Sequence, residues 1–321
     1  MDKVLITGGS GFIGSHFHKS IDNTNLVNLD LLPPPFKHSA TFINGDIRKQ
    51  EDVDSALAGR NITTILSLAA KHHDFGIGHD EYFDTNEGGT EVLCRAATKF
   101  NIKKIIFYSS VAVYGLKPVT SSEEMAPEPE SPYGASKLAG ENVLRKWAAG
   151  NPSRQVIIIR PTVVFGPNNF ANMYSLIRQI DSGFYFHLGK ADNIKSIAYV
   201  ENLVNATLFL KERMTAGVSV FNYADEPQLT SRQIGETIAA ELKTRVRGTL
   251  PLGLAERLAW PFDAIIKLTG KNLAISSARI RKLATPTRHS AAKLFSMGFS
   301  PKWTTAEGLQ RMVRWYREQP K

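Results

Sequence analysis

The sequence predicts an α/β fold in which helices cover both faces of a parallel sheet. Apolar runs of strand length alternate with longer helical patterns along the first half of the chain, and this alternation is typical of repeated βαβ units. The runs are rich in Val, Ile and Leu throughout, as expected for strands that are buried on both sides. Because crossovers between parallel strands are right-handed, these units should form a doubly wound sheet.

The elements of this fold follow one another from the first residues. The expected strands are Lys3–Thr7, Asn25–Leu29, Thr41–Asn44, Thr64–Leu68, Lys104–Ser109 and Gln155–Arg160. The expected helices include Phe12–Ser20, Glu51–Leu57, Tyr82–Phe100 and Pro132–Ala148. Turn-rich pieces replace this rhythm after Arg160. We therefore expect a sheet domain over residues 1–165, with later segments such as 197–225 returning to it, and mainly a smaller cap over residues 166–321.

The composition is that of an ordinary globular protein, with 321 residues of which 42% are hydrophobic and 21% charged. No run reaches the roughly 18 to 20 apolar residues that a membrane span requires. Met1 to Lys3 lead directly into a strand-like run without a secretory signal, which indicates a cytoplasmic location. The single cysteine, Cys94, excludes an internal disulfide and a cysteine-based metal site, and we expect it to be a buried helix residue.

The chain is basic, with a formal net charge of +9, which suits an anionic ligand. Lys and Arg become denser after about Arg232, but no basic tract with interleaved aromatic residues is present, so nucleic acid is not an expected partner. The apolar segment Leu250–Gly270 carries four charged residues, so an amphipathic helix pair of the cap is expected there rather than a span. Contact with a membrane surface or a lipid carrier is the alternative for this segment.

A glycine-rich turn directly follows the first predicted strand. Gly8, Gly11 and Gly14 stand three residues apart, and Phe12 and Ile13 open the first predicted helix. Glycine permits the tight turn and lets backbone N–H groups approach a pyrophosphate, and the helix N-terminus adds unpaired donors and a positive dipole. The strand before and the helix after are the context that this motif requires, so we expect a bound dinucleotide.

Acidic residues end the next two strands. Asp30 ends the second strand sixteen residues past Gly14, where a carboxylate can accept hydrogen bonds from both ribose hydroxyls of an adenosine. Its charge would repel a 2′-phosphate, so NAD is favoured over NADP. Asp46 and Ile47 end the third strand, and we expect them to contact the adenine.

Ser131 and Pro132 start a helix that carries a candidate catalytic pair. Serine is a good N-cap and proline fits the first helical position, so that Tyr133 and Lys137 lie one turn apart on one face. Tyrosine has a pKa of about 10, and a neighbouring ammonium together with the positive nicotinamide favours the phenolate. Tyr133 can then take a hydroxyl proton while hydride leaves for the nicotinamide. Ser110, after the strand Lys104–Ser109, can hydrogen-bond the same oxygen.

The sequence resembles one protein family at three stretches. Thr7–Gly14, Tyr108–Gly115 and the Tyr133/Lys137 pair are similar, in this order and spacing, to extended short-chain dehydrogenases/reductases. More narrowly, they resemble the NAD-dependent epimerase/dehydratase branch, which acts on nucleotide sugars. The similarity covers essentially the whole chain and implies a Rossmann domain that binds NAD(P), followed by the substrate-binding cap.

The resemblance also implies further site residues. The cofactor contacts that it adds are Leu68, Ala69, Ala70, Asn86 and Pro161, together with Tyr133 and Lys137 themselves. Lys195 takes the position of a basic residue that reaches the substrate diphosphate, and lysine lacks the bidentate fork of the arginine that many relatives have there. Arg279 is a second candidate phosphate contact. Family members usually form homodimers through helices equivalent to Tyr82–Phe100 and Pro132–Ala148.

Departures from the family narrow the expected chemistry. The 4,6-dehydratases carry an acidic pair after the catalytic serine or threonine, whereas this chain has Val111 and Ala112, so dehydration is not expected. Epimerisation at C3 and C5 uses a cysteine and a histidine, and Cys94 lies in a predicted helix away from the site. Many epimerases have asparagine where Val163 stands, which weakens the interpretation as a simple UDP-galactose 4-epimerase.

The expected function is hydride transfer at one sugar carbon, by a C4 epimerase or a 4-keto-sugar reductase, in the biosynthesis of surface polysaccharides. The substrate is expected to be an anionic nucleotide sugar, and a lipid-linked diphospho-sugar would suit Leu250–Gly270 and the positive charge. An alcohol oxidoreductase similar to 3β-hydroxysteroid dehydrogenases and a non-catalytic dinucleotide-binding regulator are the alternatives, and the intact catalytic set argues against the second. His72, His73 and His79 are interpreted as ordinary loop or substrate-edge residues, and no metal is expected.

Overall fold

The structure is a computed structural model that describes residues 2–72, 78–117, 119–269 and 276–319. The strands are β1 (Val4–Thr7), β2 (Leu26–Asp30), β3 (Thr41–Asn44), β4 (Thr64–Ser67), β5 (Lys104–Tyr108), β6 (Gln155–Pro161), β7 (Val163–Phe165), β8 (His187–Leu188), β9 (Ile194–Lys195), β10 (Ile197–Tyr199), β11 (Gly217–Tyr223), β12 (Leu229–Thr230) and β13 (Thr249–Leu250). The α-helices are α1 (Phe12–Phe17), α2 (Gln50–Leu57), α3 (His79–Phe83), α4 (Gly89–Lys99), α5 (Pro132–Ala149), α6 (Asn172–Asp181), α7 (Val200–Lys211), α8 (Ser231–Glu241), α9 (Leu252–Thr269), α10 (Ser277–Ala284), α11 (Ala292–Ser296) and α12 (Thr305–Glu318). Short 3₁₀ turns span Asn23–Asn25 and Val111–Tyr114, and a π-helical turn spans Asp84–Gly88.

Seven parallel strands form the central sheet in the order β11-β6-β5-β4-β1-β2-β3. From β1 the chain adds β2 and β3 on one side, and it then returns to place β4 on the other side of β1. The strand order therefore reverses between β1 and β4, and ligands of such sheets bind outside the carboxyl ends of the strands at this switch point. The predicted fold class, a doubly wound parallel sheet, is confirmed.

Helices cover both faces of this sheet. On one face α2, α4 and α5 bury a core that includes Leu5 and Ile105 of the strands. On the other face α1, α7 and α11 bury a core that includes Ile6 and Ile106. Neighbouring residues of one strand thus enter opposite cores, which explains why the strands are apolar throughout instead of alternating.

A third core belongs to the C-terminal region. It is formed by α6, α8 and α12 around β7 and β10, with Phe165, Ile177 and Val313 fully buried in it. The carboxylate of Asp225, just after β11, accepts hydrogen bonds from the backbone N–H of Tyr199 and from the side chain of Asn202. This buried carboxylate ties β10 and α7 to the end of β11 at the edge of the central sheet.

Two elements differ from the expectations. The expected helix Tyr82–Phe100 is divided into α3, the π-helical turn and α4. The π turn occupies five residues and keeps the chain helical, so a pattern that predicts a helix over the whole stretch does not distinguish it from an α-helix. The strand β11 was not predicted, and it extends the sheet by pairing Gly217–Tyr223 with Gln155–Pro161 of β6. The division at residue 165 stays a prediction.

The long helix α9 spans most of the apolar segment Leu250–Gly270 and contains Pro261. The expected helix pair within this segment is thus a single helix, and its packing partner α10 lies outside the segment, at Ser277–Ala284. In the part of the chain that the structure describes, no helix is both long enough and apolar enough to cross a membrane.

Candidate active site

The glycine-rich turn after β1 lies against the turn after β4. Gly8 has a φ of +73°, and a Cβ at this position would lie 2.6 Å from the backbone nitrogen of Ala69. The N–H of Leu68 donates to the carbonyl of Thr7 at 3.0 Å. The two turns therefore meet backbone to backbone at the switch point. This is a cradle that a Cβ would fill, and it suits the pyrophosphate of a dinucleotide.

The expected ribose and adenine contacts lie beside this cradle. Asp30 accepts a hydrogen bond from the N–H of Ser10 at 3.0 Å, so its carboxylate adjoins the glycine-rich turn. Asp46 is paired with Arg48 at 2.6 Å, and hydrogen bonds from Arg48 lower the pKa of this carboxyl. The side chain of Ile47 is buried under Gly89 of α4, so only its backbone is available to an adenine.

The start of α5 forms as the sequence predicts. Ser131 caps the helix by accepting a hydrogen bond from the N–H of Gly134 at 3.1 Å, and Pro132 occupies the first helical position. Tyr133 is half-buried in this first turn, and its ring lies 6.2 Å from that of Tyr82. The local sequence is sufficient for this helix start because the cap, the proline and the pair all lie within seven residues.

Close packing brings the two parts of the predicted catalytic set together. Ser110 begins the 3₁₀ turn after β5, and its hydroxyl accepts a hydrogen bond from the N–H of Ala112 at 3.1 Å. A Cβ on Gly134 would lie 2.5 Å from the carbonyl oxygen of Ala112. The first turn of α5, which carries Tyr133, therefore rests directly on the turn that carries Ser110. Sequence analysis did not identify this role of Gly134.

Lys137 is buried at the end of β5. Its Nζ donates to the carbonyl of Tyr108 at 2.7 Å and lies 4.9 Å from the ring centre of Phe107. Burial lowers the pKa of this ammonium to about 7, and the carboxylate of Glu141 opposes the shift. The lysine thus has a fixed position and a charge that changes near neutral pH.

A buried ion pair behind Lys137 was missed by sequence analysis. Glu141, one turn later in α5, accepts hydrogen bonds from Arg160 at 2.6 and 2.8 Å and from the hydroxyl of Ser109 at 2.6 Å. Arg160 also donates to the hydroxyl of Tyr114 at 2.7 Å. Buried ions are tolerated when their hydrogen bonds are satisfied, as they are here. The signal in the sequence was an arginine that ends an otherwise apolar strand.

Asn86 connects three pieces of the site from the π-helical turn. Its amide donates to the hydroxyl of Ser136 in α5 at 2.9 Å. The same amide exchanges two hydrogen bonds of 3.1 Å with the backbone of Lys71, just past Leu68–Ala70. Asn86 therefore holds the backbone after Leu68–Ala70 close to α5, and its expected contact with the cofactor stays a prediction. The π turn places the side chain here, in line with the frequent occurrence of such turns at functional sites.

Three further expected contacts are Lys195 and Arg279, predicted to reach the substrate, and Pro161, predicted to reach the cofactor. Lys195 of β9 donates to the carbonyl of Thr285 at 2.5 Å, so the segment after α10 holds this side chain in place. Pro161 is buried at the end of β6. The side chain of Arg279 lies outside the described part of the chain, and its expected phosphate contact stays a prediction.

Metal-ligating residues are scattered in the described ranges. Among those residues no three His, Cys, Asp or Glu side chains are grouped so that they could hold a metal. His73 lies outside the described residues, while His72 and His79 flank the gap. Cys94 is buried in α4, as expected, and burial raises the pKa of its thiol to about 12.

A comparison with known proteins places the chain in a family. Residues 4–224 match the NAD dependent epimerase/dehydratase family. The chain belongs to this family. It is therefore an enzyme whose cofactor is NAD, which confirms the resemblance and the expectation of a sugar epimerase or reductase. The alternative of a non-catalytic regulator is set aside.

Individual relatives extend the match to the whole chain. The chain is 38% identical to the N-acetyl-α-D-glucosaminyl-diphospho-ditrans,octacis-undecaprenol 4-epimerase of Escherichia coli O157:H7, over 98% of this chain and 95% of that protein. It is 28% identical to the UDP-glucose 4-epimerase of Vibrio cholerae, over 97% and 94% of the two chains. The solved UDP-glucose 4-epimerase of Thermus thermophilus has the same fold, with a TM-score of 0.77 at 21% identity over 98% and 99% of the two chains.

Proposed function

We propose that the protein is a C4 epimerase of an N-acetylhexosamine that is linked through a diphosphate to a polyprenol. The observation that carries this proposal is the 38% identity, over nearly the full length of both chains, to an Escherichia coli epimerase named for such a substrate. The Vibrio cholerae relative is named for the same reaction on a sugar with a different carrier. The position C4 is thus common to both, and the carrier is the point that needs a test.

The catalytic residues suit proton transfer at one carbinol carbon. Tyr133 takes the proton of the C4 hydroxyl and returns a proton to the same oxygen after the sugar has turned. The ammonium of Lys137 favours the phenolate form of Tyr133, and the hydroxyl of Ser110 donates to the substrate oxygen. NAD, which the backbone cradle at Gly8 and Ala69 and the carboxylate of Asp30 would hold, would supply hydride chemistry at C4.

The residues after Ser110 favour epimerisation over dehydration. Val111 and Ala112 form the 3₁₀ turn at this point, and neither side chain can donate or accept a proton. The chain therefore lacks, at these two positions, the acid and base that elimination of water requires. Transfer of one hydride and one proton at C4 is the reaction that remains.

The substrate diphosphate is proposed to lie near Lys195. The tether between Lys195 and Thr285 places this cation at the junction of β9 with the segment after α10. A diphosphate is dianionic, and the net charge of +9 favours its approach. Homodimers through α4 and α5 and a cytoplasmic location stay predictions.

A comparison of two substrates tests the proposed carrier. The purified protein is incubated in detergent with polyprenyl-diphospho-N-acetylglucosamine or with UDP-N-acetylglucosamine, and the released sugars are separated by chromatography. We expect kcat/KM for the lipid-linked substrate to exceed that for the UDP-sugar by at least about tenfold, because only the first can use contacts to the lipid. Equal or better turnover of the UDP-sugar would contradict the proposal. The Tyr133→Phe variant serves as the inactive control.

A further inference from the structure

Helix α9 turns four large apolar side chains toward solvent. Leu254, Leu258, Trp260 and Phe262 are 47%, 58%, 65% and 36% exposed. At 100° per residue these four and Arg257 spread over an arc of about 200° around the helix, and the buried small residues Ala255 and Ala259 lie within the remaining arc. We call the exposed side, formed by Leu254, Arg257, Leu258, Trp260 and Phe262, the α9 face. A surface helix of a globular protein has the opposite arrangement, with its large apolar residues toward the core.

The acidic residues of α9 point away from this face. Glu256 accepts a hydrogen bond from Arg281 of α10 at 3.0 Å. Asp263 accepts one from the N–H of Ser277, which begins α10, at 3.1 Å. Both carboxylates thus hold the helix pair together, and the charge of the α9 face itself is that of Arg257. The face is therefore apolar and cationic, without an anion.

The surrounding stretch of sequence carries the positive charge of the whole protein. Between Lys243 and Lys293 the chain has eleven Lys and Arg residues and two acidic ones, Glu256 and Asp263. This stretch alone accounts for the formal net charge of +9, and the rest of the chain is neutral. Exposed aromatic and aliphatic residues beside Arg257, within a stretch of sequence that has this excess of cations, are complementary to anionic phospholipids.

The α9 face belongs to the same part of the fold as the proposed diphosphate site. Helix α10 packs against α9 and leads to Thr285, whose carbonyl accepts the hydrogen bond from Lys195. On the other side, β13 precedes α9 and pairs with β8, which follows the exposed residues Phe184 and Phe186. The apolar surface is thus connected directly to the end of the cap that would receive the diphosphate.

We propose that the α9 face docks on an anionic phospholipid bilayer, with its apolar side chains at the boundary between headgroups and acyl chains. Tryptophan favours this boundary, and Arg257 and the neighbouring cations contact the lipid phosphates. This inference deepens the proposed function and rests on it for its purpose. The polyprenyl chain would stay in the bilayer while the diphospho-sugar reaches the site near Lys195.

Sedimentation with vesicles tests the docking without any substrate. The full-length protein is mixed with vesicles of phosphatidylethanolamine and phosphatidylglycerol, and with neutral phosphatidylcholine vesicles. We expect binding to the anionic vesicles that weakens severalfold on the neutral ones. The double variant Leu258→Glu/Trp260→Glu should bind the anionic vesicles at least about tenfold more weakly, since it loses buried apolar area and gains negative charge. Met297→Glu is the matched control, because Met297 is an exposed apolar residue next to α11.

Unchanged vesicle binding by the double variant, or no binding by the natural chain, would overturn the proposal. Sedimentation velocity identifies the other occupant of this face: conversion of a dimer to a monomer by the double variant, without a change in vesicle binding, would show that a second copy of the chain covers it. Equal thermal unfolding of the two variants establishes that both are folded. The substrate comparison described above is made in detergent and does not depend on vesicle binding. The proposed substrate can therefore prove wrong while the protein still binds vesicles, and the protein can fail to bind vesicles while the proposed substrate proves right.

Discussion

On folding, the side-chain amine of Lys137 moves from water into the protein interior. Burial lowers its pKa from 10.5 to about 7. Between these values the unfolded chain holds a proton that the folded chain releases, so the free energy of unfolding rises with pH across this window. Without cofactor, we expect the free energy of unfolding of the natural protein to increase between about pH 7 and about pH 9. This increase should exceed that of the Lys137→Met variant by about 2 kcal/mol. Urea unfolding of both proteins measures this difference, and parallel changes in the two would refute it.

Tyr133 is expected to be needed for turnover and dispensable for cofactor binding. Its hydroxyl is the proposed proton-transfer group, whereas the proposed cofactor cradle is built from backbone at Gly8 and Ala69. Tyr133→Phe should retain its NAD content and lose at least about 10²-fold in kcat. Steady-state kinetics and the nucleotide released on denaturation check both parts. Turnover at the natural rate would remove Tyr133 from the mechanism.

Asp30 is expected to set the preference for NAD. Its carboxylate adjoins the glycine-rich turn through Ser10, where it would repel a 2′-phosphate. Asp30→Ala should shift the ratio of NAD to NADP affinity toward NADP by at least about tenfold. Titration with both cofactors measures this ratio, with Asp22→Ala, at an exposed aspartate in a turn before β2, as the control. An unaltered ratio would disprove the ribose assignment.

Secondary-structure elements show where sequence reasoning succeeds and where it stops. The helix start at Ser131 and the pair that follows it were predictable because one short stretch contains the cap, the proline and both functional groups. The pair formed by Glu141 and Arg160 joins residues 19 positions apart. The contact of Asn86 with Ser136 spans 50 positions, and periodicity says nothing about contacts of this kind. The resemblance to a family indicated Asn86, whereas neither the local sequence pattern nor the resemblance indicated Glu141.

The contact between α5 and the turn after β5 depends on Gly134. A Cβ at this position would lie 2.5 Å from the carbonyl oxygen of Ala112, so the helix or the turn would have to move. We expect Gly134→Ala to cost about 1 to 3 kcal/mol in the free energy of unfolding, as overpacking typically does. It should also lower kcat by at least about tenfold, since small displacements of catalytic groups are costly.

The matched control for this change is Gly253→Ala in α9. Its added Cβ meets nothing within 4 Å, and alanine is the better helix former. Chemical denaturation and steady-state kinetics of both variants make the comparison. A Gly134→Ala enzyme with natural stability and kcat would show that this close approach does not position Tyr133.

Positive charge is distributed unevenly over the whole molecule. The proposed cofactor site lies at the switch point of the parallel sheet. The stretch Lys243–Lys293 holds the full excess of positive charge, and the rest of the chain, which includes Lys195, has a net charge of zero. The fold class followed from the alternation of strands and helices alone. The uneven distribution of exposed apolar residues on α9 required the structure, because only packing shows which side of a helix is covered.

The most direct test of an epimerase that returns its own hydride follows the C4 hydrogen of the sugar. The purified protein is given polyprenyl-diphospho-N-acetylglucosamine with deuterium at C4, and no cofactor is added. We expect the C4 epimer to form and to retain the deuterium, because the hydride that leaves C4 comes back to the same carbon. Product that has lost the deuterium would contradict the account. Failure of this sugar to react, together with NADH- or NADPH-dependent reduction of the corresponding 4-keto sugar, would also contradict it and would indicate a reductase.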